Sequence, residues 1–191
     1  MVYEYLKARI ESHGVQVLAR QLELETTGVF DGMSITTNTD YDLETRCYNI
    51  AHSFGHIAQW SLDYPRFQRL YDELHAAKAN KHADAVALEQ ALQRFRAYEE
   101  EASQYAMWLL LDTGNADILL GFTNFARADI EAIVAFHRDG HAPVWHSFFD
   151  DWNEKVSRGE LKLRPFEPRP IPPFTPLHIE PQEVIQEVDG L

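Results

Sequence analysis

The chain has little cysteine and a shortage of positive charge, and each shortage excludes a class of protein. Its 191 residues contain one cysteine, Cys47, so no intrachain disulfide can form and nothing indicates an oxidising compartment. Lys and Arg number 17 against 30 Asp and Glu, which gives a formal net charge of -13. Phosphates and anionic membrane surfaces repel such a chain. We therefore expect no nucleic acid and no membrane among its partners.

Long apolar runs are also missing. The longest, Ala106 to Leu111, is far shorter than the roughly 20 residues that a transmembrane helix needs. Residues 1–9 hold no apolar stretch typical of a signal peptide, so we expect a cytoplasmic protein. The hydrophobic share of 45% is sufficient for one domain with a core, which we place at residues 1–160.

The spacing of apolar residues predicts a mostly helical α+β fold. Helical spacing is found over residues 2–25, 41–62, 66–79, 85–111, 116–126, 128–136 and 145–156. Between the first two segments, Asp31-Gly32 separates two β-prone runs, which is a strong signal for a β-hairpin with a type I′ turn. We therefore predict a small sheet of two or three strands over residues 26–39.

Prolines dominate the C-terminal part of the sequence. They are Pro165, Pro168, Pro170, Pro172, Pro173, Pro176 and Pro181. Proline lacks the amide hydrogen that a helix interior or a central strand requires. We predict that residues 161–191 form an extended Pro-rich tail with polyproline II character. Apolar residues such as Phe166 and Ile179 favour packing of this tail along the domain or a partner chain over disorder.

Two histidines, His52 and His56, lie four residues apart on a predicted helix. Residues at this spacing project from one helix face, so both imidazoles can bind one metal ion. Nine histidines in this length produce roughly 0.4 such pairs by chance, so the spacing needs structural context. The apolar neighbours Ala51 and Phe54 supply it by predicting a half-buried setting. The alternative is a packed or exposed histidine pair without metal.

A tetrahedral site with one open position needs a third protein ligand. The predicted helix over residues 85–111 contains Glu99, Glu100 and Glu101 in succession. Glu101 lies at the border of the apolar stripe, where a metal or an arginine could satisfy its carboxylate. Glu99 and Glu100 are expected to be solvated charges, although the sequence alone does not settle whether Glu101 or Glu100 faces the histidines.

The histidine pair belongs to a longer pattern that resembles the ImmA/IrrE metallopeptidase family. That family has a β-hairpin, then a helix with A-H-E-x-G-H, then a helix with E-A-x-x-F-A. The matching residues are Asp31-Gly32, Ser34-Ile35-Thr36, Arg46, Ala51-His52-Ser53-Phe54-Gly55-His56 and Glu101-Ala102-Ser103-Gln104-Tyr105-Ala106. The match spans residues 28–111, under half of the chain, with Tyr in place of Phe. The resemblance implies a zincin-like domain that binds one Zn²⁺ per chain through His52, His56 and Glu101.

One position departs from the family pattern. Where the family has a glutamate directly after the first histidine, this chain has Ser53. In a zinc peptidase that glutamate is the general base and acid, and a serine hydroxyl is too weak a base near neutral pH to replace it. Its loss typically costs about a hundred- to ten-thousand-fold in rate. The sequence therefore predicts a pseudo-metallopeptidase without a catalytic residue, whose cleft holds a ligand, peptide or protein partner.

Two alternatives stay open. One is a metal-free interaction module in which the histidines form hydrogen bonds, as the aromatic share of 12% and the Pro-rich tail would suit. The other is an atypical zinc hydrolase with a replacement base from elsewhere in the fold. Helical spacing places none of Glu44, Glu99 and Glu100 in that role.

Two other features are weaker candidates for a site. His137, His141 and His146 do not favour a second metal site, because Asp139-Gly140 is expected to break the helix between the first two. Cys47 lies on the apolar side of its predicted helix, so we predict a buried structural thiol.

Overall fold

The computed structural model describes residues 2–23, 26–81, 84–141 and 143–179. Within them the chain forms α1 (Val2–Glu11), β1 (Gln16–Arg20), β2 (Gly28–Phe30), β3 (Ser34–Asn38), α2 (Leu43–Ala79), α3 (Ala85–Asp112), α4 (Leu119–Asp139) and α5 (Trp145–Ser157). A 3-10 turn at Ala116–Ile118 leads into α4. The predicted mostly helical α+β fold is confirmed. No helix in the described ranges combines the length and apolarity that crossing a membrane requires.

The sheet has three strands in the order β1-β3-β2. The predicted hairpin is confirmed, because β2 pairs antiparallel with β3. Its loop differs from the expected two-residue turn. The Oδ1 atom of Asp31 accepts hydrogen bonds from the amides of Met33 at 2.9 Å and Ser34 at 2.6 Å. Gly32 has a φ of +86°, a conformation that favours glycine.

The N-terminal helix is shorter than the sequence predicts. The prediction of helix to residue 25 is wrong beyond Glu11, because residues 16–20 form β1, which pairs parallel with β3. Val17 in β1 and Val15 just before it are both buried. In a short segment with loose helical spacing, the tertiary contacts decide whether it forms a helix or a strand. The predicted helical residues 24 and 25 lie outside the described residues.

Helix α2 is the centre of the fold. Every residue from Cys47 to Trp60 is buried, because α1, α3, α4 and β3 all pack against this segment. The helix boundary that the sequence predicts at Pro65 is present as a kink at Asp63, where φ is -155° and ψ is 69°, so α2 consists of two helical segments. Proline has no amide hydrogen and its ring clashes with the carbonyl four residues earlier, which accounts for the kink. The side chain of Asp63 accepts a hydrogen bond from the amide of Arg66 at 3.1 Å, as at the start of a helix.

Helices α3 and α4 pack antiparallel in a register that ion pairs fix. Arg138 pairs with Glu89, Glu131 with Arg96, and Arg127 with Glu100. From one pair to the next, the residue number rises on α3 and falls on α4. All three pairs therefore agree with a single antiparallel register of the two helices. The two helices predicted over residues 116–126 and 128–136 are thus one helix, and Gly140, with φ +86°, ends it as predicted.

The described part of the tail, residues 158–179, contains no helix or strand beyond the end of α5 and lies along the domain. Phe166 and Ile179 are buried. The amide of Arg169 donates to the carbonyl of Gln104, and the amide of Ile179 donates to that of Asp31, each at 3.1 Å. Residues 180–191, with Pro181, lie outside the described residues.

Candidate metal centre

The two histidines predicted as ligands come together on α2. The Nε2 atoms of His52 and His56 lie 3.1 Å apart, and both side chains are buried. Their four-residue spacing brings this about, since one helical turn separates them. The structure therefore places both imidazoles at one point of the domain interior.

The carboxylate that joins them is Glu99. Its Oε2 atom lies 3.0 Å from Nε2 of His56 and 3.4 Å from Nε2 of His52. Glu99 is only 3% exposed, so its prediction as a solvated charge is wrong. Oε2 makes no hydrogen bond of good geometry with any described part of the protein. A group of three potential metal ligands results.

Glu101, the predicted third ligand, does not reach the histidines. Its carboxylate accepts hydrogen bonds from Arg66 at 2.6 Å, from Gln59 at 2.9 Å and from Arg169. Two residues along an α-helix correspond to a rotation of about 200°, so Glu99 and Glu101 cannot face the same site. The sequence left two kinds of partner open for Glu101, a metal ion or an arginine. In the structure its partners include arginines.

Close contact between α2 and α3 makes the three-ligand group possible. Gly55 lies between the two histidines in sequence, and a Cβ atom there would collide with the backbone carbonyl of Ala102. The side chain of Gln59 donates to the carbonyl of Tyr98 at 2.8 Å, which ties the helices together one turn further on. Because Gly55 has no side chain, α2 and α3 approach closely enough for Glu99 to reach His52 and His56.

Ser103 orients His52. Its hydroxyl donates to the carbonyl of Glu99 at 3.0 Å, and its Oγ atom lies 3.3 Å from Nδ1 of His52. Because the hydroxyl hydrogen is already used, Oγ accepts a hydrogen bond from Nδ1–H. This tautomer puts the lone pair of His52 on Nε2, which faces Glu99, as in histidines that bind metals.

Aromatic rings surround His56. The ring of Phe30, from β2, stacks on it at a centroid distance of 5.6 Å and an angle of 13°. Phe30 also stacks on Trp60 at 4.9 Å, and Tyr98 lies 6.0 Å from His56. These rings fix the imidazole and limit the access of water, which strengthens any electrostatic interaction at Glu99.

The charge of Glu99 depends on the two histidines. Burial by itself raises the pKa of this carboxyl, but interaction with His56 and His52 outweighs burial and lowers the pKa well below its ordinary value. Glu99 is therefore an anion in the folded protein. A buried anion needs a positive partner, which is either an imidazolium or a bound cation.

The donor set fits a zinc ion. Two imidazole nitrogens and one carboxylate oxygen are common zinc ligands, and ligands about 2.0–2.1 Å from a tetrahedral ion lie about 3.3 Å from one another. The three distances here, 3.1, 3.0 and 3.4 Å, agree with that spacing. When both imidazoles are neutral, three lone pairs converge on one point, and a cation at that point removes their repulsion.

The other candidate residues lie elsewhere or have other partners. Glu44 accepts a hydrogen bond from Tyr48, and Glu100 pairs with Arg127 on α4. Cys47 is a buried thiol, as predicted, and burial raises its pKa to about 11. His137 lies beside Lys78, with 3.3 Å between Nδ1 and Nζ, and burial lowers its pKa to about 4.

The contact between Arg169 and Glu101 makes a testable prediction about the tail. Replacing Arg169 with alanine should cost about 1–2 kcal/mol locally, because it removes a charge-assisted hydrogen bond between tail and domain. Amide hydrogen exchange over residues 166–179 should become faster, while exchange in α2 should stay unchanged. A variant at Arg158, which pairs with Glu154 on the surface, is the matched control. Unchanged exchange in the tail would contradict the anchoring role of Arg169.

Comparisons of the chain with protein-family models, with curated proteins and with solved structures find no match. The function of the group formed by His52, His56 and Glu99 must therefore be inferred from its own geometry and chemistry.

Proposed function

We propose that this protein binds one divalent metal ion, with zinc the best fit, through His52, His56 and Glu99. The observation that carries the proposal is the convergence of three potential ligand atoms within 3.4 Å of one another in the domain interior. The proposed scaffold is zincin-like and ImmA/IrrE-like, because that resemblance implies two histidines on one helix and a glutamate on a later helix. The glutamate here is Glu99 and not Glu101 of the matching motif.

We further propose that the protein is a pseudo-metallopeptidase. A zinc ion in such a site supplies Lewis acidity and lowers the pKa of water. At the position directly after the first histidine, where the family pattern has its general base, the chain has the buried Ser53. Glu44 and Glu100 have other partners. The proposal is therefore a centre that holds a ligand or a peptide without efficient cleavage.

The metal-free interaction module is the second candidate. The distances of 3.0 and 3.4 Å from Glu99 to the two imidazoles also suit an ion pair with a protonated histidine. In that case the group would stabilise the packing of α2 against α3 and would need no cation. The two candidates differ in one measurable quantity, the metal content of the purified protein.

Elemental mass spectrometry on untagged protein purified without chelators measures that quantity. We expect about one zinc per wild-type chain and none in His52→Ala. His141→Ala is the control, because His141 is exposed and lies outside the three-ligand group. Zinc at about 100 times its Kd should also stabilise the wild type by about 2.7 kcal/mol. Wild-type protein that stays metal-free after incubation with zinc would support the interaction module instead.

A further inference from the structure

Asp129 is a carboxylate on α4 at the level of the three-ligand group. Two ion pairs between α3 and α4, Glu100 with Arg127 and Arg96 with Glu131, establish this. Glu99 lies between Arg96 and Glu100 on α3, and Asp129 lies between Arg127 and Glu131 on α4. The register of the two helices therefore puts Asp129 next to Glu99 along their shared axis.

The packing of α2 against α4 leads to the same position. The rings of Tyr48 and Phe125 are in contact, with centroids 5.6 Å apart. Both helices run antiparallel to α3 and hence parallel to each other. His52 and Asp129 each lie one turn further along these helices, so the parallel packing brings them to the same level. Two independent pairs of helices thus place Asp129 beside the site.

Asp129 has no partner of its own in the described parts of the chain, where neither a hydrogen bond nor an ion pair reaches its carboxylate. Electrostatic interaction of its carboxyl group with His52 and Glu99 agrees with this placement. Its carboxylate is thus available as an acceptor for an external ligand.

Three protein ligands leave a metal ion with at least one position for an external ligand. We propose that Asp129 faces this position and accepts a hydrogen bond from the ligand bound there. The centre would then prefer neutral ligands with an N–H or O–H group over anions, which the carboxylate repels. This inference rests on the proposed metal site and specifies the chemical class of ligand that the site takes.

Co²⁺-loaded protein tests the inference, since its visible absorption reports changes in coordination. At pH 8 we expect imidazole, which keeps an N–H when bound, to bind at least about tenfold more tightly than 1-methylimidazole, which has none. The size control is 4-methylimidazole, which carries a methyl group but keeps its N–H. Azide, a small anion, should bind at least about tenfold more tightly to Asp129→Asn than to the wild type, because the substitution removes a nearby unit charge.

Asp139→Asn is the matched control, because Asp139 lies exposed at the far end of the same helix, and its azide affinity should equal that of the wild type. Equal azide affinity in wild type and Asp129→Asn, with Co²⁺ bound in both, would overturn the inference and leave the metal site intact. If Asp129→Asn does not fold, equal affinities of the wild type for imidazole and 1-methylimidazole would overturn it. Failure of the wild type to take up Co²⁺ would instead remove the metal site and this inference with it.

Discussion

Replacing Glu99 with glutamine should weaken zinc binding by at least about a hundredfold, whereas the same replacement at Glu101 should change it by less than about threefold. Glutamine has the shape of glutamate but not its charge, and the loss of even an outer partner of a metal ligand typically costs 10- to 100-fold in affinity. Of these two glutamates, it is Glu99 that lies within 3.4 Å of both imidazoles. Glu101 is held by two arginines and a glutamine instead.

Competition with a chromophoric chelator measures both affinities under the same conditions. The two variants are controls for each other, because they remove one charge each from buried positions two residues apart on the same helix. Glu101→Gln should affect the tail instead, with faster hydrogen exchange over residues 166–179. Loss of zinc from Glu101→Gln together with retention in Glu99→Gln would restore the ligand set that the sequence predicts and contradict the geometry described above.

The histidine pair could be predicted from the sequence because it depends on helix geometry alone. His52 and His56 need only a helix to face the same direction, and the apolar spacing around them indicates one. The hairpin was predictable for a similar reason, because Asp31-Gly32 is a local signal. Features that depend on one short segment and its own backbone are those that a single sequence specifies best.

Glu99 was missed because a charge was assumed to face solvent, although the sequence contains a signal for its burial. The apolar stripe of α3 comprises Leu88, Leu92, Phe95, Ala102, Ala106 and Leu109, all buried. Their spacing alternates between four and three residues and has one gap, which Glu99 fills. A charged residue inside an apolar repeat of this kind requires a buried partner, and here two histidines are available.

Other errors arose where distant parts of the chain decide the structure. Residues 16–20 form a strand only because β3 offers them a parallel edge, and β3 lies beyond a loop and another strand. The position of Asp129 depends on the packing of α4 against both α2 and α3. Neither contact leaves a periodic pattern in the sequence, so neither could be derived from the sequence alone.

The second large effect is expected at Gly55, where alanine should destabilise the fold by about 2 kcal/mol. Overpacking a well-packed core typically costs 1–3 kcal/mol, and here the obstacle is the backbone carbonyl of Ala102 rather than a flexible side chain. The higher helix propensity of alanine, worth about 1 kcal/mol over glycine, offsets only part of that cost. To accommodate the methyl group, α2 and α3 must move apart.

Separation of the two helices connects this stability effect to the metal site. His52 and His56 flank Gly55 on α2, while Glu99 lies on α3, so a wider gap lengthens the distances from Oε2 to both imidazoles. Gly55→Ala should therefore lose about tenfold in zinc affinity as well as stability, measured by chelator competition and by urea denaturation. Gln68→Ala, on the exposed face of α2, should stay within about 0.5 kcal/mol of the wild type. Unchanged zinc affinity in a destabilised Gly55→Ala would mean that the ligands tolerate the shift, and the close helix contact would then serve packing alone.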